Sequence, residues 1–238
     1  MITAANQACR LLLVSALAVA FSACTASPTK AAADSDDDKA LLASDLYYDG
    51  AYENYEFSLK IDPSLSEAPA LVREIKGEHM EAFDPKKCEG AYKCFIFKKV
   101  EAGAHRGLLV SALVETNEFY GGAHPSMEVK SYLYHKVDQT PLTIPELFDN
   151  WPAAQAILQK EWCAQLTKHS FCPVIGDQAL LLTEGVKGVS GITVRTSDGA
   201  FGSYAEGPAT GYIQIDENLL MFLKPKYRPL FAVEEPCC

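Results

Sequence analysis

The sequence predicts an α+β fold, a mainly antiparallel sheet packed with helices, in which two halves of the chain share one compact domain. Three observations predict it. Tyr55, Phe57, Leu59 and Ile61 alternate with Glu56, Ser58 and Lys60, the period-two pattern of a strand with one buried face. Residues 108–114 form a continuous apolar run, as expected of a central strand buried on both faces. Strands and helices also come in groups rather than in strict alternation, which favours antiparallel pairing.

The remaining elements follow in chain order. After Pro63, with Ser64 or Ser66 as the cap, Ala68, Val72, Ile75, His79 and Phe83 fall at helical spacing. His79 is expected at the amphipathic edge of that helix rather than as a ligand. Residues 92–100 read as a strand, and residues 129–137 alternate as a strand adjoining the central one. Thr143-Ile-Pro-Glu146 is a capping box with proline in the first turn, and it opens a short helix through Phe148. Ala154, Leu158, Trp162 and Leu166 make an i, i+4 stripe on a longer helix. Residues 192–196 and 211–215 are later strands. Asp216-Glu217-Asn218 opens a last helix that ends near Pro225. The sequence contains no internal repeat.

The chain has 238 residues, enough for one ordinary domain. It carries 21 Lys and Arg against 31 Asp and Glu, a formal net charge of −10. Such a surface repels nucleic acid and suits a basic partner, although acidity also serves plain solubility.

The first residues read as a signal peptide, residues 1–23. Arg10 is a sparse positive region, Leu11 to Phe21 an apolar stretch too short to span a bilayer, and Ser22-Ala23-Cys24 closes it. These residues resemble a lipobox, with Phe21 where that motif usually has leucine, so Cys24 is the expected lipidation site. Each buried methylene of an acyl chain adds about 0.8 kcal/mol of membrane affinity. By resemblance to enteric lipoprotein sorting, Thr25 directs the protein to the outer membrane, facing the periplasm, if the source is Gram-negative. Residues 24–45 then form an acidic flexible tether with Asp34, Asp36, Asp37 and Asp38. This acidic run lacks the glycine and closing glutamate of a calcium loop.

Six cysteines follow the lipobox. Export permits disulfides. Cys88–Cys94 and Cys163–Cys172 are the simplest pairs, each contributing about 2–3 kcal/mol through its short loop. Cys237 and Cys238 have no assigned partner. No CxxC or histidine spacing points to a metal, and no cofactor is expected.

Two stretches carry a family resemblance. The first is Phe119-Tyr-Gly-Gly-Ala-His-Pro125, leading through Tyr132-Leu-Tyr134 to Pro141-Leu-Thr-Ile-Pro-Glu-Leu-Phe148. The second is Gly202-Ser-Tyr-Ala-Glu-Gly-Pro208. Together they resemble the extracytoplasmic domain of RsiV-type anti-sigma factors, a paired domain of unknown general function. It is also found in lipoproteins and beside peptidoglycan deacetylase domains. The resemblance covers about residues 45–231. It implies that residues 46–140 and 141–238 are the two halves of one such domain. The anti-sigma members bind lysozyme, so a lysozyme-like protein or peptidoglycan is the implied partner. This sequence shows no sigma-binding part or transmembrane helix, so the signalling role is not implied.

Tyr120, Gly121, Gly122, His124, Tyr204 and Glu206 are the candidate binding residues. Each also has a structural reading. The glycines allow a turn or bulge, and His124 can be a buried hydrogen-bonding residue that fixes its loop. Tyr120, Tyr132 and Tyr134 surround the same turn, where aromatic residues serve as interface anchors or as strand formers. No GxSxG, HExxH, phosphate loop or dinucleotide fingerprint is present, and the five histidines lack ligand spacing. The expectation is therefore a membrane-anchored binding protein of the cell envelope. The alternatives are an envelope-maintenance factor contacting peptidoglycan, or a cell-wall hydrolase.

Overall fold

The computed structural model describes residues 46–52, 54–82, 87–88, 93–105, 107–202 and 204–233. The signal peptide, Cys24, the acidic tether, Phe83, Cys237 and Cys238 lie outside the described residues, as does the side chain of Tyr204. Among the described residues, no helix is long and apolar enough to cross a membrane.

The fold is α+β and dominated by two sheets. The first has six strands in the order β1-β2-β3-β4-β5-β6. They are β1 (Tyr47–Tyr52), β2 (Tyr55–Ile61), β3 (Cys94–Ala102), β4 (Leu109–Phe119), β5 (Ser126–His135) and β6 (Thr140–Leu142). The second sheet orders β7 (Ala179–Glu184), β8 (Val189–Arg195) and β9 (Thr210–Gln214). All pairings are antiparallel except β2 with β3. That exception follows from connectivity. Helix α1 (Pro69–Ala82) lies between these strands in sequence, and a crossover of this length returns the chain in the same direction.

Helix α1 covers one face of the first sheet. Its Leu71, Val72 and Ile75 pack with Leu59, Ile61, Val100, Ala112 and Val114. The cap before it differs from expectation. Asp62, not a serine, accepts the Ser64 backbone N–H at 2.9 Å and opens a 3-10 turn, Pro63–Glu67, ahead of the helix.

The other face of β4 and β5 meets the second sheet, where Leu113, Val129, Ala179 and Leu181 pack together. This places β4 between two layers, and its residues from Leu109 to Val114 are all buried. Helix α2 (Trp151–Gln165) closes the far side of the second sheet. Its Trp162 is fully buried and lies over β9 at Gly211, where a Cβ would stand 2.5 Å from the indole ring. Asn150 caps α2 by accepting from the Ala153 N–H, and the Thr143–Glu146 capping box is formed. The final helix α3 (Glu217–Leu220) is one turn long, with Asp216 accepting from the Leu219 N–H at 2.8 Å.

Disulfides join Cys88 to Cys94 and Cys163 to Cys172, both between residues close in sequence. The Gln159 side chain ties the second one to the chain beyond it, donating to the Pro173 carbonyl and accepting from the Ile175 N–H.

Candidate binding face

The β4–β5 hairpin and the β8–β9 connection are laced together at their bases. Met127 N–H donates to the Asp198 carboxylate at 2.7 Å, and Asp198 N–H donates to the Met127 carbonyl at 2.9 Å. Val129 N–H donates to Ser197 Oγ at 2.8 Å. The second loop is also closed at its base, where Ala209 N–H donates to Thr196 Oγ1 and Thr196 N–H to the Ala209 carbonyl. Both motif-bearing loops thus rise from strands fixed by hydrogen bonds, the arrangement in which loops carry recognition on a rigid scaffold.

In the hairpin, Gly121 and Gly122 take φ of 103° and 111°, a region open to glycine and strained for any side chain. They turn the chain so that residues 122–125 are exposed. His124 is therefore not the buried residue of the structural expectation. It stands at the surface with Nδ1 3.0 Å from the Pro125 carbonyl oxygen. The reason is local: a connection made of two left-handed glycines and a proline projects away from the sheet instead of folding back on it.

Tyr120 belongs to the frame more than to the tip. It is partly buried, with its hydroxyl 3.4 Å from both the Tyr55 hydroxyl and the Ala82 carbonyl. Tyr132 and Tyr134 lie farther down β5, away from the turn that the sequence suggested. Their hydroxyls donate to Glu78 and Glu74 on α1, and Lys130 also donates to Glu78. Burial opposes ionisation of Glu78, but the bonds from Lys130 and Tyr132 outweigh it and hold its carboxyl below the usual range. Burial and the Glu78 bond push the Tyr132 hydroxyl pKa up.

In the second loop, Tyr204–Glu206 is a 3-10 turn. Glu206 accepts from the backbone N–H and hydroxyl of Ser170, at 3.0 and 2.8 Å, and these bonds hold its carboxyl below the ordinary value. His169 stacks on Phe201 with ring centroids 3.9 Å apart. The loop is anchored on the chain after α2, and Ala205 and Pro208 are exposed.

His79 departs most from expectation. It is 1% exposed, beneath Tyr48 and Phe57, whose ring centroids lie 6.4 and 6.3 Å away. Strand β1, which the periodicity did not reveal, adds Tyr48 over the helix edge and closes it from solvent. Neither imidazole nitrogen has a hydrogen-bond partner among the described residues. Burial, reinforced by the Lys98 charge, lowers its pKa from 6.5 to about 4.

Two cavities lie elsewhere. One of about 180 Å³ is lined by Tyr132, Leu142, Ile144 and Gln178, among others. The other, of about 220 Å³, is lined by Ala104, Glu184, Lys187 and Leu230, among others. His124 borders neither. Among the described residues, no three His, Cys, Asp or Glu side chains form a group that could hold a metal ion.

No family model and no curated protein matches the chain. Solved structures do. A DUF3298 family protein from Pseudomonas aeruginosa matches with a TM-score of 0.53 and 14% identity, over 79% of this chain and 95% of that one. A DUF3298 family member from Bacteroides fragilis matches with a TM-score of 0.41 and 19% identity, over 73% of this chain and 85% of that one. The first likeness shows that this chain has the α+β fold of that DUF3298 family protein.

Proposed function

We propose that the chain is an exported binding module, lipid-anchored through Cys24 in the cell envelope, and that its target is a lysozyme-like muramidase. The observation that carries this reading is the pair of laced loops, with an exposed hairpin tip at residues 122–125 raised on a hydrogen-bonded frame. These loops hold the motifs whose order resembles the lysozyme-binding domain of the anti-sigma factors. A net charge of −10 adds support, because an acidic surface speeds encounter with a basic muramidase. In this reading the chain acts by binding, needs no cofactor, and uses the acidic residues after Cys24 as a spacer from the membrane.

The test is retention of several basic muramidases on the immobilised full-length chain in detergent. Retention at low salt, weakening as salt rises, is expected, together with slower lysis of cell walls by the retained enzyme. A chain that retains none of them at low salt sinks the proposal.

A further inference from the structure

We infer that the open face of the first sheet at β1–β4 is a binding site for a carboxylate-bearing glycan strand of the cell wall. The second sheet covers only part of the face opposite α1. Beyond it, Phe95 and Phe97 on β3 and Phe119 on β4 remain on the outer side. The Phe95 and Phe97 rings are nearly parallel, 8° apart with centroids at 4.7 Å, and Phe119 stacks against Phe95 at 5.9 Å. Phe97 is 37% exposed. Alternation along β3 puts its apolar partners Ile96 and Val100 in the core, while Phe97 is exposed and Phe95 and Phe119 are half-buried beside it.

The charges beside the rings point to the ligand. Lys60 on β2 and Lys99 on β3 are register partners, both exposed, on the same face as Phe97. Like charges directly opposite on neighbouring strands destabilise a sheet. No described carboxylate forms an ion pair with either lysine. Glu115, across from Lys99 on β4, is taken up by Asn117 and by Arg195. Glu56 pairs with Lys93 at 3.2 Å. Asp49 sits in the neighbouring row, with Ser58 and Phe97. The molecule carries an excess of acid, yet it leaves two adjacent cations unneutralised beside an aromatic strip.

Flat rings fit the apolar faces of sugar rings, and the lysine pair complements carboxylates along the strand. From Phe95 to Lys99 the strip runs about 13 Å along β3, and from β2 to β4 about 10 Å across. That is room for a short run of sugars. A single-stranded nucleic acid also has rings and negative charge, and it is the competing ligand that the oligonucleotide arm of the test separates from a glycan. None of these residues belongs to the two loops, so this site and the muramidase reading stand or fall separately.

The experiment is co-sedimentation of the full-length chain in detergent with purified peptidoglycan sacculi, before and after carbodiimide amidation of their carboxylates. Untreated sacculi should retain the chain, and amidation should cut retention about tenfold. K60A/K99A and F97A should each lower retention about tenfold while melting within a few degrees of the parent. Relief of the lysine repulsion predicts a melting temperature for K60A/K99A that is equal or higher. A chain left in the supernatant, variants retained like the parent, indifference to amidation, or equal capture by a single-stranded oligonucleotide would each overturn the assignment.

Discussion

The two faces of the six-stranded sheet are built from alternate residues of the same strands, yet their chemistry is inverted. Beneath α1, polar groups are buried among apolar ones: His79 is 1% and Lys98 9% exposed, and Tyr132 bonds to Glu78. On the opposite face beyond the second sheet, Phe97 is 37% exposed while Lys60 and Lys99 stand unpaired among the described residues. A buried polar group without a hydrogen bond costs stability, and so does a pair of like charges on neighbouring strands. The first cost is absorbed by a helix clamped to β5. The second lies on the face proposed as the glycan site. A single sheet thus carries one face covered by a helix and one left partly open.

Four measurements can break or sharpen it. The largest effect is expected from Leu59→Ala on the covered face. Leu59 is fully buried, so chemical denaturation should show a loss of about 2–5 kcal/mol. Phe97→Ala on the open face should cost less than about 1 kcal/mol. Equal losses would make the open face part of the core.

Next comes acid. His79 has its folded pKa lowered from 6.5 to about 4, so the unfolded chain binds the extra proton between those values. Stability is therefore complete above pH 6.5, falls as pH drops toward 4, and loses on the order of 3 kcal/mol in that window. His79→Leu should flatten this part of the profile. An unchanged slope in the variant would assign the acid sensitivity elsewhere.

A smaller effect belongs to the clamp. Tyr132→Phe removes one bond to Glu78 and leaves the Lys130 bond, so about 1 kcal/mol should be lost. A double-mutant cycle with Glu78→Gln should return a favourable coupling between the two residues, and a coupling of zero would remove the clamp from the account. Smallest of all, Lys60→Ala should leave stability unchanged or raise it by a few tenths of a kcal/mol. A clear loss on thermal melting would show that the lysine is structural.

The periodic elements were legible in the sequence because their faces differ in polarity. Strand β2, helices α1 and α2, and the capping box at Thr143 all follow from patterns of this kind. Strand β1 was not, because Tyr47-Tyr-Asp-Gly-Ala-Tyr52 carries a turn-like Asp-Gly pair at its centre and pairs only at the sheet edge. Strand β7 has no alternation to mark it, because its apolar run Ala179 to Leu182 is buried on both faces. The site was less legible than the fold. The turn of the hairpin could be read from its glycines, but the exposure of His124 depends on how the turn projects. The burial of His79 depends on Tyr48 arriving from an unrecognised strand. The open face needed the tertiary arrangement most of all, since alternation along β3 marks two faces without telling which one a second sheet leaves bare.

The central claim is that recognition of a muramidase lies at the laced loops and that the α1 side is scaffold. Hydrogen exchange of the full-length chain with and without a bound basic muramidase tests it most directly. The account predicts added protection at residues 121–126 and 204–208, with α1 unchanged. Protection confined to α1, or none at either loop in a complex known to form, would contradict it.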